Sequence, residues 1–341
     1  MAATIKDVAR KAGVAFSTVS LVLNDRANVS PETKERVRRA IEELNYRPKH
    51  SARSLASKQT GNIGFILTDD HFSRAEPFYT KIFLGTEFES RLYNYYILLT
   101  TIPPSFKAAT DTPRFLREHN VDGVILAGHV PTALSKLLDE LDIPHVYVDY
   151  SHQKKQSNVV MMDNLNGAKA AMKHLFQLGH EKIAFIGAEI THPSISSRFE
   201  GYKVALADAS IAYSEQLIQI QKTFLSVEEG FNATEILLRK NRNFTAILAA
   251  NDAMATGALQ CLKKNGYKIP QDVSIVGFDN IDAGTLTMPQ LTTVNIDKEE
   301  LGAIAVRRLI EMINSKKQFL GTIYTPVDLI IRESTSPTAS N

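Results

Sequence analysis

A single cysteine, Cys261, stands among the 341 residues, which excludes an internal disulfide framework and fits a reducing compartment. The amino terminus, MAATIKDVARKAG, lacks the apolar core of a secretory leader. Nowhere does an uncharged apolar run reach the roughly 18 residues that cross a bilayer. A cytoplasmic protein without a membrane segment is expected. Charge of one sign is also scarce, with 39 basic against 37 acidic side chains and a net +2. Near-balance would argue against a nucleic-acid partner if the charge were evenly spread, but it is not. Residues 1–59 hold 12 Lys/Arg and 6 Asp/Glu, a net +6, while the rest of the chain carries −4. A basic head on a mildly acidic body is the pattern of a DNA-binding module joined to something else.

Enzyme signatures are missing too. The sequence has no G-x-x-x-x-G-K-[ST], no G-x-G-x-x-G after a strand, no H-E-x-x-H and no G-x-S-x-G. The nine histidines show no metal-ligand spacing, and His174 and His180, which flank a helix end, suit surface or capping roles. No cofactor, no metal and no catalytic residue is expected. Cys261 lies on an apolar-rich helix and reads as a small core residue. Tyr93, Tyr95 and Tyr96 read as strand packing.

What is present begins with three short helical patterns. Thr4 can cap a helix through Val8, Ala9 and Ala12 that ends at Gly13. Val19, Val22 and Leu23 give a second helix one buried face. Ser30-Pro31-Glu32 opens a third, with Ser as N-cap and Pro at the first helical position, carrying Val37, Ile41 and Leu44 inward. Pro48 stops this unit. From Asn62 onward, short apolar runs alternate with amphipathic stretches. The runs, Ile63–Leu67, Tyr95–Leu99, Val124–Ala127, Val146–Val148, Ile183–Ile186, Ile247–Ala250 and Ser274–Phe278, suit parallel strands buried on both faces. The helical stretches are Phe78–Leu92, Leu134–Leu141, Asn164–Leu178, Ser197–Ala209, Val227–Arg239, Asp252–Asn265 and Asp297–Asn314. Alternation of strand and helix predicts a doubly wound α/β body, and its length predicts two lobes.

Two short helices joined at a glycine form a helix-turn-helix, whose second helix enters the major groove. With Val19, Val22 and Leu23 inward, Phe16, Ser17, Ser20, Leu21 and Asn24 face out. Leu21 cannot hydrogen-bond to a base edge but can pack on a thymine methyl. Hydroxyls such as Thr18 and Ser30 suit phosphates, and the cations add sequence-independent attraction. The plainer alternative is a helical docking module with solvated charges.

The stretches TIKDVARKAGVAFSTVSLVLN and VSPETKERVRRAIEELNYRPKHSARSLASKQTGNIGFI closely resemble the headpiece of the LacI/GalR family of transcriptional regulators. The resemblance continues through DNLNGAKAAMKHLFQLGHEKIAFIG, SSRFEGYKVAL, AILAANDAMATGAL, DVSIVGFDN and PQLTTVNID, in order and over nearly the whole chain. It implies a helix-turn-helix headpiece (1–47), a hinge helix and linker (48–60), and a two-lobed body similar to periplasmic binding proteins (61–333). Lobe 1 would hold about 61–160 plus 293–320, lobe 2 about 161–292 plus 321–333, with a disordered tail at 334–341. Ser51–Ser57 looks like the family's hinge helix, and Leu55 matches its minor-groove wedge, an apolar side chain that unstacks a base step. The expected DNA contacts are Thr4, Phe16, Ser17, Thr18, Ser20, Leu21, Asn24, Ser30, Tyr46, Ala52 and Leu55. Two departures stand out. Ala15 replaces the family's usual serine, removing a capping hydroxyl, and Leu21 stands where arginine is common, so the operator differs from those of familiar members.

Ligands of open α/β sheets bind beyond the carboxyl ends of the strands. The polar and aromatic candidates there are Asp69, Phe78, Tyr79, Asp149, Asn251 and Asp279. The resemblance adds Arg198 in SSRFEGY and matches Asp279 and Asn251 to cleft residues. TDDHFSRAEPFY is longer than the family's usual first cleft loop, which weakens the match of Asp69, Phe78 and Tyr79. His71, Phe72 and His192 sit near the opening without an assigned role. The resulting reading is a homodimer, or a tetramer, that binds a palindromic double-stranded operator and responds to a small-molecule effector, a sugar first and a purine or nucleoside second. Rival classes are a sugar-metabolising enzyme fused to a DNA-binding head, and a binding protein without DNA activity.

Overall fold

A computed structural model describes residues 3–23, 29–46, 59–72, 78–152, 157–188, 190–222, 224–241, 243–315 and 321–338. Asn24, Ala52, Leu55 and the expected hinge helix lie outside the described residues. The chain divides into two compact units, one ending at Gly61 and one starting at Asn62.

The first unit has helices Ile5–Ala12, Phe16–Leu23 and Pro31–Glu43. Thr4 accepts the N–H of Asp7 while the Asp7 carboxylate accepts that of Thr4, a closed capping box. Gly13 ends the first helix at φ 63°, where a side chain would be strained, and its N–H returns to the helix's last carbonyls. Ser30 caps the third helix through the N–H of Thr33. Val8, Val19 and Val37, one from each helix, are fully buried against each other's faces. Each such valine contributes about 1.5–3 kcal/mol by leaving water, so a charged residue at Val19 would unfold the unit.

The second unit contains two six-stranded sheets. The first orders its strands β11 (Thr322–Thr325), β5 (Val159–Met162), β4 (His145–Val148), β3 (Gly123–Ala127), β1 (Asn62–Thr68) and β2 (Tyr96–Ile102), all parallel. The second orders β12 (Asp328–Ile330), β10 (Thr292–Asn295), β9 (Ser274–Asp279), β8 (Ala246–Ala249), β6 (Ile183–Ala188) and β7 (Ile218–Gln221), with only β12 antiparallel. Central strands are buried along their whole length, as parallel sheets covered on both faces require. Helices Phe78–Leu92 and Lys298–Ser315 cross at close range because Gly85 and Gly302 lack side chains. A Cβ at Gly85 would lie 1.9 Å from the carbonyl oxygen of Glu299.

All seven expected strands and all seven helical stretches of the body are present within a few residues. The chain crosses between sheets three times, after β5, after β10 and after β11. The expected lobe boundaries therefore need correction. Thr293–Asn295 belong to the second sheet, and Thr322–Thr325 pair with β5 in the first. The expected disorder from residue 334 is also corrected for Ser334–Thr338. Ser334 is fully buried, accepts the N–H of Thr292 and donates to the carbonyl of Ile275. Low apolar content misled because this segment is held by hydrogen bonds to backbone rather than by apolar burial. His174 and His180 are buried, not on the surface, and pin the same segment through Thr335 and Ser336. Burial holds both imidazoles below the ordinary histidine value. Cys261 is fully buried, and burial raises its thiol.

Candidate functional site

In the first unit, the helix Phe16–Leu23 turns Val19 and Val22 inward and leaves Phe16 and Ser17 exposed, with Thr18, Ser20 and Leu21 half-buried. Phe16 is 55% exposed, a large apolar ring facing water on a short helix. Ala15 contributes only its carbonyl, which accepts the N–H of Thr18 and Val19. The hydroxyls of Thr4 and Ser30 act within the fold as helix caps. Tyr46 is buried among the apolar side chains of the unit, so packing is its evident role.

In the second unit, the carboxyl ends of β1, β4, β6, β8 and β9 converge on a cavity of about 630 Å3, counting the part open to solvent. Six of the seven expected residues line it: Phe78, Tyr79, Asp149, Arg198, Asn251 and Asp279. Asp69 does not; it is exposed at the start of the short helix Asp69–Phe72. His71 of that helix takes a wall position instead, its ring 4.8 Å from that of Tyr79.

Asp149 follows β4 at φ 61° and is buried. Its carboxylate accepts the Tyr79 hydroxyl at 2.9 Å on one oxygen and the Ser194 hydroxyl on the other. Tyr79 is on the first lobe and Ser194 on the second, so Asp149 fastens the two across the cleft. On the outer side, Lys81 and Asp282 form a second interlobe contact at 3.0 Å.

Arg198 and Asp279 form the floor. The guanidinium stacks 3.9 Å over the ring of Phe278. Its Nε donates to Asn164 Oδ1 at 2.8 Å and one terminal nitrogen to the Ala250 carbonyl at 2.6 Å, while the other lies 2.8 Å from Asp279 Oδ1 as an ion pair. Asp279 sits at φ 99°, a conformation rare for a residue with a side chain and held here by the pair around it. The Lys298 ammonium donates to the Asp279 main-chain carbonyl, and burial lowers its pKa. Asn251 caps the helix Asp252–Lys264, its Oδ1 accepting the N–H of Met254 at 2.9 Å. Beneath it the Asp252 carboxyl is wholly buried and accepts the Ile281 N–H at 2.8 Å and the Thr293 hydroxyl at 2.5 Å. Burial foremost, with the nearby Asp279 charge, pushes its pKa up to about 8.

Residues 4–49 match the family of bacterial regulatory proteins of the lacI type, and residues 172–335 match the periplasmic binding protein-like domain. The HTH-type transcriptional regulator RegA of Clostridium saccharobutylicum is 35% identical over 98% of this chain and all of its own length. The chain belongs to the LacI/GalR family of transcriptional regulators. It is a DNA-binding transcriptional regulator of that family and not an enzyme. Among solved structures, the lac repressor dimer bound to operator and the anti-inducer ONPF superposes with a TM-score of 0.82 at 28% identity, covering 98% of this chain and 100% of that one. The transcriptional regulator CelR–cellobiose complex gives 0.74 at 30% identity, covering 97% and 99%. Among the described residues no helix is long and apolar enough to cross a membrane.

Of the cavity residues outside the expected set in this LacI/GalR chain, Ser194, Ile195 and Leu225 escaped the sequence reading, while His71 and His192, placed near the opening without a role, line the wall. His192, Ser194 and Ile195 follow from one misplaced helix start. The helix expected from Ser197 begins at Pro193, with His192 as its N-cap, and the added turn carries Ser194 and Ile195 into the wall. Proline after a side chain able to accept a hydrogen bond was the available signal.

Proposed function

We propose that the chain is a repressor that binds a palindromic operator as a homodimer and answers to a small sugar bound between its lobes. The observation that carries the sugar reading is the Arg198–Asp279 pair on the cavity floor. A guanidinium has five N–H donors. Two of Arg198's are committed to Asn164 and Ala250, and the remaining terminal nitrogen is ion-paired with Asp279, which leaves N–H donors for a ligand beside the Asp279 carboxylate. Neighbouring donor and acceptor suit a pair of adjacent hydroxyls, each of which donates and accepts at once. Phe78, Ile195 and Leu225 supply apolar wall for the faces of a sugar ring. The likeness to the CelR–cellobiose complex supports the same class.

The dimer reading rests on Leu84, Phe88 and Leu92, which repeat at helical spacing on the outer face of helix Phe78–Leu92 and are exposed, as are Tyr96 and Leu99 of the adjacent β2. A contiguous apolar face of this kind favours a self-complementary partner, and two headpieces then match a two-fold operator. Effector and operator affinities are linked reciprocally, with a coupling typically of about 1–3 kcal/mol. The test is a melting screen against D-ribose, D-glucose, cellobiose and inosine, followed by operator gel shifts with the compound that stabilises. At 100 times its dissociation constant a true ligand adds about 2.7 kcal/mol. A shift with inosine alone would replace the sugar by a nucleoside, and stabilisation without any change in operator affinity would refute an effector role.

A further inference from the structure

One residue of the cavity wall has a hydrogen-bonding requirement that the fold leaves unmet. His192 caps helix Pro193–Asp208, its Nδ1 accepting the backbone N–H of Ser194 at 3.3 Å. A backbone N–H can only donate, so Nδ1 carries no proton, and the neutral ring holds its proton on Nε2. Burial, foremost, keeps the ring neutral by lowering its pKa, against the pull of Asp149. Nε2 is thus a donor, and it is enclosed without a hydrogen-bond partner among the described residues. Around it stand groups already engaged with each other: the Asp149 oxygens take Tyr79 and Ser194, and the Tyr150 ring lies 5.8 Å away, tilted at 55°. A buried donor without an acceptor is a net cost to the fold, which an incoming acceptor removes.

We propose that His192 is a specificity-determining residue of the cleft, whose Nε2–H donates to an acceptor oxygen of the effector: a hydroxyl, ring or carbonyl oxygen. This rests on the reading of the cleft as the effector site. The fixed tautomer gives the pocket a direction: it accepts a molecule with an oxygen at that point and discriminates against an analogue carrying an ammonium or a bare methylene there. A matching ligand gains the hydrogen bond that the ligand-free wall lacks, and a mismatched one does not. The Ser194–Asp149 contact next to it makes the same wall part of the interlobe fastening, so an oxygen seated on His192 lies where lobe closure is decided.

Two substitutions separate capping from ligand donation. In His192→Asn the side-chain oxygen falls where Nδ1 was and keeps the cap, while nothing remains at Nε2. In His192→Gln an amide nitrogen reaches toward the Nε2 position, while the cap is lost. The full-length protein is melted and titrated calorimetrically with whichever of D-ribose, D-glucose, cellobiose and inosine stabilises the wild type most. The expected result is that Asn weakens binding about tenfold or more and Gln stays within about threefold. Without ligand, Gln, which loses the cap, should melt below Asn, which keeps it. Wild-type affinity in the Asn variant overturns the proposal. If the wild type binds none of the four compounds, the reading of the cleft on which the proposal rests fails, and the proposal with it.

Discussion

The guanidinium of Arg198 meets the carboxylate of Asp279 at 2.8 Å, with side chains only 4% and 8% exposed. Two charges taken this far out of water depend on each other, because the attraction between them offsets a desolvation cost that neither could bear alone.

Removing one partner is therefore expected to cost about 3–5 kcal/mol of stability, while removing both costs much less than the sum. Arg198→Ala, Asp279→Ala and the double variant, compared by chemical denaturation, check this. Additive losses would show that the pair is not coupled. Both single variants should also lose the effector response in operator gel shifts.

Asp252 predicts a specific pH dependence. Its folded value of about 8 lies above the ordinary 3.8, so the folded state binds this proton more tightly than the unfolded chain. The stabilisation is fully present below about pH 4 and is lost as pH rises through about 8. Asp252→Asn imitates the protonated acid, with one amide atom for the Ile281 N–H and the other for the Thr293 hydroxyl. The variant should gain stability relative to the wild type steadily from pH 5 to pH 8.5 in denaturation experiments. A constant difference across that range would mean that Asp252 does not titrate there.

By the family resemblance, Leu21 stands where arginine is common, on the helix expected to enter the major groove. If it packs on a thymine methyl, Leu21→Ala should weaken operator binding by about three- to fivefold, the worth of a methyl group or so of buried contact. Replacing the contacted thymine by uracil should produce the same loss, and the two losses should not add. Independent effects in the four-way comparison would place Leu21 elsewhere.

Leu55 lies outside the described residues, and its expectation comes from the sequence resemblance alone. Leu55→Ala should weaken specific operator binding by several-fold or more while effector affinity is unchanged, because only the kinked duplex loses contact. Measuring both affinities on one preparation checks it. Binding to non-specific DNA should change little and should fall steeply with salt in both proteins.

Helix caps and strand periods were legible in the chain. Thr4, Gly13 and Ser30 bound their helices as the local pattern requires, since a cap forms between neighbours in sequence. Strands with long apolar runs were equally plain. Of the strands that escaped, β7, β10, β11 and β12 lack the unbroken apolar run that marked the equally short β4 and β8, and β5 is an apolar run that was passed over. Boundaries failed where hydrogen bonding rather than apolar packing holds the chain, as with Ser334.

By itself the sequence determined the division into a basic head and an acidic body, the alternation of strand and helix, and the family. These are recorded in composition, short-range periodicity and motif order. Only the tertiary structure decided that Asp149, Tyr79 and Ser194 meet, that Arg198 is neutralised by Asp279, and that His192 holds a donor without a partner among the described residues. Those residues lie far apart in the chain and meet only where parallel strands end together, so their partners depend on the three crossings between the sheets and not on any local pattern.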